Sequence, residues 1–153
     1  MARRRYGGMG VPGVALLALC ALPLPAAALD FLSVTEAAPL FDAPSAQAKP
    51  LFVIAAGTPV ERILSLEGWS KVRDNKGDLV WIEKKYLGTK RNVMVRGERA
   101  EVRTSADEKS ALVFAARHDV LLELIEILPG GWVRVKHRDG QGGYVKAAQV
   151  WGL

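Results

Sequence analysis

Cysteine is nearly missing from this chain: its 153 residues hold one, Cys20. It falls inside an apolar stretch near the N-terminus, and nothing after that stretch carries a thiol. A disulfide framework, a thiolate nucleophile and a cysteine-ligated metal are therefore excluded from the rest of the chain. Histidine is almost as scarce. His118 and His137 are the only two, and neither has a partner at a metal-ligand spacing. No Gly-x-Ser-x-Gly or His-Glu-x-x-His run occurs, so the common signatures of a serine nucleophile and a zinc hydrolase are missing. Acidic residues are scattered over turns and exposed strand positions, which nominates no acid/base pair. Almost no helical pattern is present, so no glycine-rich loop opens a helix to cradle phosphate. These absences argue against an enzyme and against any cofactor.

The N-terminus has a different character. Arg3, Arg4 and Arg5 precede an apolar run from Val11 to Leu24, and Ala26 and Ala28 follow. A positive region, an apolar core and an Ala-x-Ala site make a signal peptide over residues 1–28, cut after Ala28. The run is too short for a membrane span, which needs ~20 residues, and Pro12, Pro23 and Pro25 interrupt it. A lipid-anchored reading of Cys20 requires a small residue before it, and Leu19 stands there. The expected product is an exported, periplasmic protein with no stable membrane span after cleavage.

Removing the leader changes the charge. The full chain has 21 basic and 16 acidic side chains, net +5. Without the three leader arginines the balance is 18 against 16, or +2. A strongly basic domain would suit nucleic acid; this one does not. Small barrels can stack bases on aromatics beside cations, but the leader sends the chain where such ligands are scarce. No nucleic-acid partner is expected.

What the chain does contain is a repeat. Gly68, Trp69, Val72, Gly77 and Trp81 recur as Gly131, Trp132, Val135, Gly140 and Tyr144, always 63 residues apart. A constant offset indicates a duplicated unit. Two units are expected, over 30–88 and 92–153, separated near Gly88–Asn92 where the apolar pattern breaks. A linker this short should hold them close together.

Each unit reads as short strands. Segments 92–96, 100–104, 111–115, 132–137 and 143–146 are β-branched or aromatic and bounded by turn formers. Segment 119–128 also suits one face of a helix, but its counterpart from Thr58 runs straight into the Gly-Trp strand, and both are expected to be strands. The turns 75–77 and 138–140 end in glycine, which takes the left-handed conformation of a three-residue hairpin loop. That places Asp74 opposite Asp78, Val72 opposite Val80 and Lys71 opposite Trp81. By alternation Ser70, Val72, Val80 and Ile82 share one face, and Trp69, Lys71, Arg73 and Trp81 the other. In the second unit Val133, Val135 and Val145 turn inward, and Trp132, Arg134, Lys136 and Tyr144 outward. A one-residue slip would bury lysines.

Gly-Trp-x-x-Val, a glycine turn, then an aromatic and a β-branched residue resembles the bacterial Src homology 3 domain. Val102–Arg103 in 101–113 is similar to that family's Val-Arg-Ser-Gly-Pro segment, without the Gly-Pro. Residues 40–52 occupy the same slot in the first unit and lack the Val-Arg pair. Residues 56–63 resemble the family's Gly-x-x-Val strand entry. The resemblance covers nearly all of 30–153 and implies an all-β fold of two tandem, partly open small barrels. It also implies an exported or surface module that binds peptidoglycan or other peptides.

Two readings of the outward aromatics stand side by side. Trp69, Trp81, Trp132 and Tyr144 pack under the long loop or between the units. Alternatively they form a shallow strip, flanked by Lys71, Arg73, Arg134 and Lys136, that stacks on sugar rings or grips an extended peptide. Arg103 is expected to brace the loop 104–110 by pairing with Asp107 or Glu108, or to face a ligand carboxylate. Lys84, Lys85, Lys90 and Arg91 are expected to be solvated, the alternative being contact with an anionic envelope polymer. The candidate ligand-binding set is thus Trp69, Lys71, Trp81, Arg103, Trp132, Arg134 and Tyr144. The partner is peptidoglycan or an envelope peptide or protein; the rival role is an adaptor or structural subunit of an envelope complex.

Overall fold

The two glycine-turn hairpins set the frame of the computed structural model, which describes residues 29–153. The leader, with Ala26 and Ala28, lies outside the described residues. In the first hairpin Ser70 stands opposite Ile82, Lys71 opposite Trp81 and Val72 opposite Val80. The Asp74 N–H donates to the Asp78 carbonyl at 3.1 Å, and the Gly77 N–H to the Asp74 carbonyl at 3.0 Å. Gly77 has φ +93°, the left-handed conformation that closes the loop. The second hairpin repeats this, with Val133 opposite Val145 and Arg134 opposite Tyr144, and Gly140 at φ +96°. The register expected from alternation is the one observed.

Around each hairpin the chain adds five further strands. The first sheet comprises β1 (Phe31–Val34), β2 (Ala38–Phe41), β3 (Pro50–Ile54), β4 (Pro59–Ser65), β5 (Trp69–Arg73), β6 (Leu79–Glu83) and β7 (Leu87–Gly88). The second comprises β8 (Asn92–Val95), β9 (Arg99–Arg103), β10 (Leu112–Arg117), β11 (Leu121–Leu128), β12 (Trp132–Lys136), β13 (Gly142–Lys146) and β14 (Val150–Trp151). Their orders are β3-β2-β6-β5-β4-β1-β7 and β10-β9-β13-β12-β11-β8-β14, which are the same topology twice. Neither sheet closes on itself, so each unit is a partly open barrel. Segment 119–128 resolves as strand β11, with a bulge between Leu124 and Glu126. Its counterpart β4 bulges at the equivalent place, between Arg62 and Leu64. A bulge increases local twist, which helps a seven-stranded sheet curl over a small core.

The cores are separate. Val34, Leu40, Val60, Val72, Val80 and Ile82 pack in the first; Val93, Val102, Leu122, Val133, Val135 and Val145 pack in the second. Each fully buried side chain of this kind contributes roughly 1.5–3 kcal/mol. The lysines stay out because side chains alternate.

A third contact joins the units. Phe31, 5% exposed, and Met94, 8% exposed, belong to neither core. Phe31 meets Trp151 edge-on, with ring centroids 5.0 Å apart. Asn92 binds across the junction twice: its N–H donates to Ser33 Oγ at 3.1 Å and its side-chain amide to the Gly57 carbonyl at 2.8 Å. Gly152 sits so close to the first unit that a Cβ there would lie 3.0 Å from Pro59 Cβ. The short linker does hold the units together. The aromatic pair at the junction is Phe31 with Trp151, and none of the four strip aromatics.

Candidate functional site

Strand β9 alternates like the hairpins. Ala100 and Val102 are fully buried, which turns Glu101 and Arg103 to the outer face. Strand β13 reaches β9 through Gly143, where a Cβ would lie 2.8 Å from Val102 Cγ1. That close approach sets Tyr144 opposite Arg103. Arg103 Nη1 donates to the Ser110 carbonyl at 2.7 Å, and Nη2 donates to the Glu101 carboxylate.

This corrects the expected pairing of Arg103 with Asp107 or Glu108. Glu101 lies two residues back on the same face, within reach before the loop is formed. The Asp107 carboxylate instead accepts the Lys109 N–H at 2.9 Å, and Glu108 pairs with Lys146. Arg103 does brace the loop, but through the backbone carbonyl of Ser110.

Glu101, Arg103, Glu108, Trp132, Lys146 and Gln149 together line a cleft of about 140 Å³. Lys146 stands directly opposite Trp132. The half-buried Trp132 borders a lining that is almost wholly polar, built from the pairs Arg103–Glu101 and Lys146–Glu108 and from Gln149. Such a cleft offers both donors and acceptors to a sugar hydroxyl or a peptide group.

In the first unit the same face is filled from within. Phe41 meets Trp69 edge-on at 5.4 Å and 85°, an arrangement worth about 0.5–1.5 kcal/mol beyond area burial. Phe41 also stands opposite Trp81 on the neighbouring strand. Lys71 Nζ lies over the Trp81 ring, 5.9 Å from its centroid. Arg73 pairs with Glu61 at 2.8 Å. Trp69, Lys71 and Trp81 thus find partners inside their own unit.

The bacterial SH3 domain model matches this sequence twice, over residues 34–88 and 96–152. The chain belongs to the bacterial SH3 domain family. These domains are binding modules. Solved structures similar to the chain include NlpC2 from Trichomonas vaginalis, at 12% identity, TM-score 0.38, and coverage of 81% of this chain and 48% of that one. NlpC1 from the same organism gives 13%, 0.38, 90% and 51%. An NlpC/P60 family protein from Bacillus cereus gives 16%, 0.37, 80% and 56%. This chain thus spans about half the length of those proteins, and likeness at this level carries no argument about activity. No curated protein matches the chain.

Of the seven candidate residues, the second SH3 copy brings Arg103 and Trp132 into one cleft, with Tyr144 beside Arg103. Arg134 is exposed opposite Tyr144, outside the cleft lining. Glu101, Lys146 and Gln149 were not singled out by the sequence, and Glu108 was named only as a partner for Arg103. Two of them had a signal: extending the hairpin register sets Lys146 against Trp132, and alternation sets Glu101 beside Arg103. Nothing local announces Gln149, which enters from the 3-10 turn Ala147–Gln149. Of the linker cations, Lys85 and Lys90 are exposed, and Arg91 departs from expectation. Lys85 pairs with Glu83 at 2.8 Å and Lys90 with Glu123 at 3.2 Å. Arg91 enters the junction, 5.8 Å from the Phe31 ring centroid, and donates to the Gly152 carbonyl at 2.8 Å. Among the described residues no His, Asp and Glu side chains gather as a metal site, and no helix is long and apolar enough to cross a membrane.

Proposed function

We propose that this protein is an exported, non-enzymatic binding module that recognises peptidoglycan in the cell envelope through the second SH3 copy. The observation that carries the reading is the contrast between the two outer faces. In the first copy Phe41 packs edge-on against Trp69; in the second, Arg103 takes that register position and Trp132 lies beside a charged cleft. Peptidoglycan presents sugar hydroxyls and peptides with amides and carboxylates, which Arg103, Lys146, Glu101 and Glu108 can meet. The leader expected over 1–28 supplies the address.

A second reading keeps the family and changes the partner. Strand β3 ends its sheet, and Leu51, Phe52 and Val53 on it are 43%, 42% and 69% exposed. A free apolar edge is a place where another polypeptide can add a strand, which suits an adaptor in an envelope complex.

Pelleting with purified cell-wall sacculi separates the two. The protein is expected to co-sediment, and Trp132→Ala to abolish this with near-ultraviolet circular dichroism otherwise that of a folded protein. Absence of sedimentation, with one envelope protein recovered by crosslinking through β3, establishes the adaptor instead. Release of soluble wall fragments would overturn the non-enzymatic reading.

A further inference from the structure

The duplication provides an internal control at a second place. In the first copy Glu61 and Arg73 stand opposite each other on β4 and β5 and form an ion pair at 2.8 Å. The corresponding residues of the second copy, Glu123 and Lys136, are also directly opposite. They do not pair. Glu123 instead binds Lys90 of the linker at 3.2 Å, and Lys136 has no ion-pair partner among the described residues. The lysine that alternation sets on the outer face is thereby left with its charge uncompensated.

The neighbouring turn shows the same asymmetry. Asn75 in the first copy's turn is docked on the second copy, its amide 3.1 Å from Met94 Sδ and 3.5 Å from Asp119 Oδ1. Arg138 holds the equivalent position in the second turn and is exposed. Lys136 and Arg138 both open onto a cleft of about 500 Å³, which the linker and Ala56 of the first copy help to line. Its apolar wall includes Val120 and Leu121. Asp119, at its edge, holds φ +64°, a left-handed conformation uncommon outside glycine. Its counterpart Gly57 holds φ +82°, so the turn is shared by both copies and only the second places a carboxylate on it.

We propose that this cleft is a second binding site, for a short peptide ending in an acidic residue. The peptide's carboxylates would meet Lys136 and Arg138, and an apolar side chain preceding them would rest on Val120 and Leu121. The carboxylates of Glu123 and Asp119 disfavour a dense dianion such as phosphate, whereas a carboxylate peptide spreads its charge. The site is distinct from the Trp132 cleft. Lys136 lies four residues along β12 from Trp132, about 13 Å at the ordinary strand rise, so either site can fail without the other.

The test is nuclear magnetic resonance titration of the isotopically labelled protein with acetyl-leucyl-glutamate. Backbone amides of Asp119, Leu121, Glu123 and Lys136 are expected to shift, and the Trp132 indole signal to stay in place. Lys136→Gln is expected to weaken binding at least tenfold, and Glu123→Gln to tighten it, because Lys90 is then released toward the cleft. The peptide with both carboxylates amidated is expected not to bind. The proposal is overturned if those amides do not move, if the diamide binds equally well, or if Lys136→Gln binds as the parent does. It is also overturned if inorganic phosphate moves the same amides at a lower concentration than the peptide.

Discussion

The two SH3 copies share a topology and differ on the face their cores do not use. Phe41 and Arg103 both stand opposite the aromatic of β6 or β13. Glu83 and Lys146 both stand opposite a tryptophan. Two residues before Phe41 and Arg103 are Pro39 and Glu101. The inward positions, in contrast, are nearly interchangeable: Leu40 for Val102, Val72 for Val135, Val60 for Leu122. Burial constrains the inner face through volume and apolarity, while the outer face is free to diverge. One copy used that freedom to pack its tryptophan, the other to surround it with charge.

Substitutions in each copy can break or sharpen this contrast. The largest effect is expected from the cores. Leu40→Ala and Leu122→Ala each remove a fully buried side chain and should lower stability by about 2–5 kcal/mol, measured by denaturant titration. Sacculus binding should survive the first better than the second; equal loss in both would mean the copies do not divide the work. Next comes Gly143→Ala. A Cβ there collides with the β9 backbone and with Val102, so a cost of about 1–3 kcal/mol is expected. The Arg103 cleft should be disturbed even under conditions where the protein stays folded, visible as shifted amide resonances in β9.

Ser70 is fully buried in the first core, and its hydroxyl has no hydrogen-bond partner among the described residues. Its counterpart is Val133. Ser70→Val should therefore stabilise the first copy, by about 1–3 kcal/mol if the whole cost of an unsatisfied polar group is recovered. A destabilised variant would show that the two inner faces are less alike than their register implies.

The smallest effect concerns the second turn. The Gln141 N–H donates to Asp139 at 2.9 Å and holds that carboxyl below its ordinary value of 3.8, with His137 adding to the same direction. A depressed carboxylate stabilises the fold above the unfolded value, and this is lost as pH falls through the folded one. Asp139→Asn should therefore differ slightly from the parent in melting temperature at neutral pH. The gap should close below pH 3.8.

The sequence disclosed the hairpins because two local rules agree there: a glycine closes each turn, and alternation keeps lysines out of the core. It disclosed the duplication because the offset is constant. The outer face was only half legible. Trp132 and Tyr144 follow from the hairpin, and Lys146 was one step of register away. That Phe41 meets Trp69 depends on β2 lying beside β6, a pairing of strands 40 residues apart that no local pattern sets. The partner of Arg103 was misread because only the loop carboxylates were weighed, whereas strand alternation sets Glu101, two residues away, on the same face. Arg91 looked solvated for a related reason: its surroundings come from Phe31 and Gly152, at the two far ends of the described chain.

Arg103→Phe tests the central claim most directly, since it gives the second copy the first copy's phenylalanine beside the tryptophan and removes the cleft's guanidinium. In sacculus pelleting, the account predicts that this variant stays folded and no longer sediments, while Trp69→Ala sediments as the parent does. Undiminished sedimentation of Arg103→Phe, or its loss in a folded Trp69→Ala protein, would contradict it.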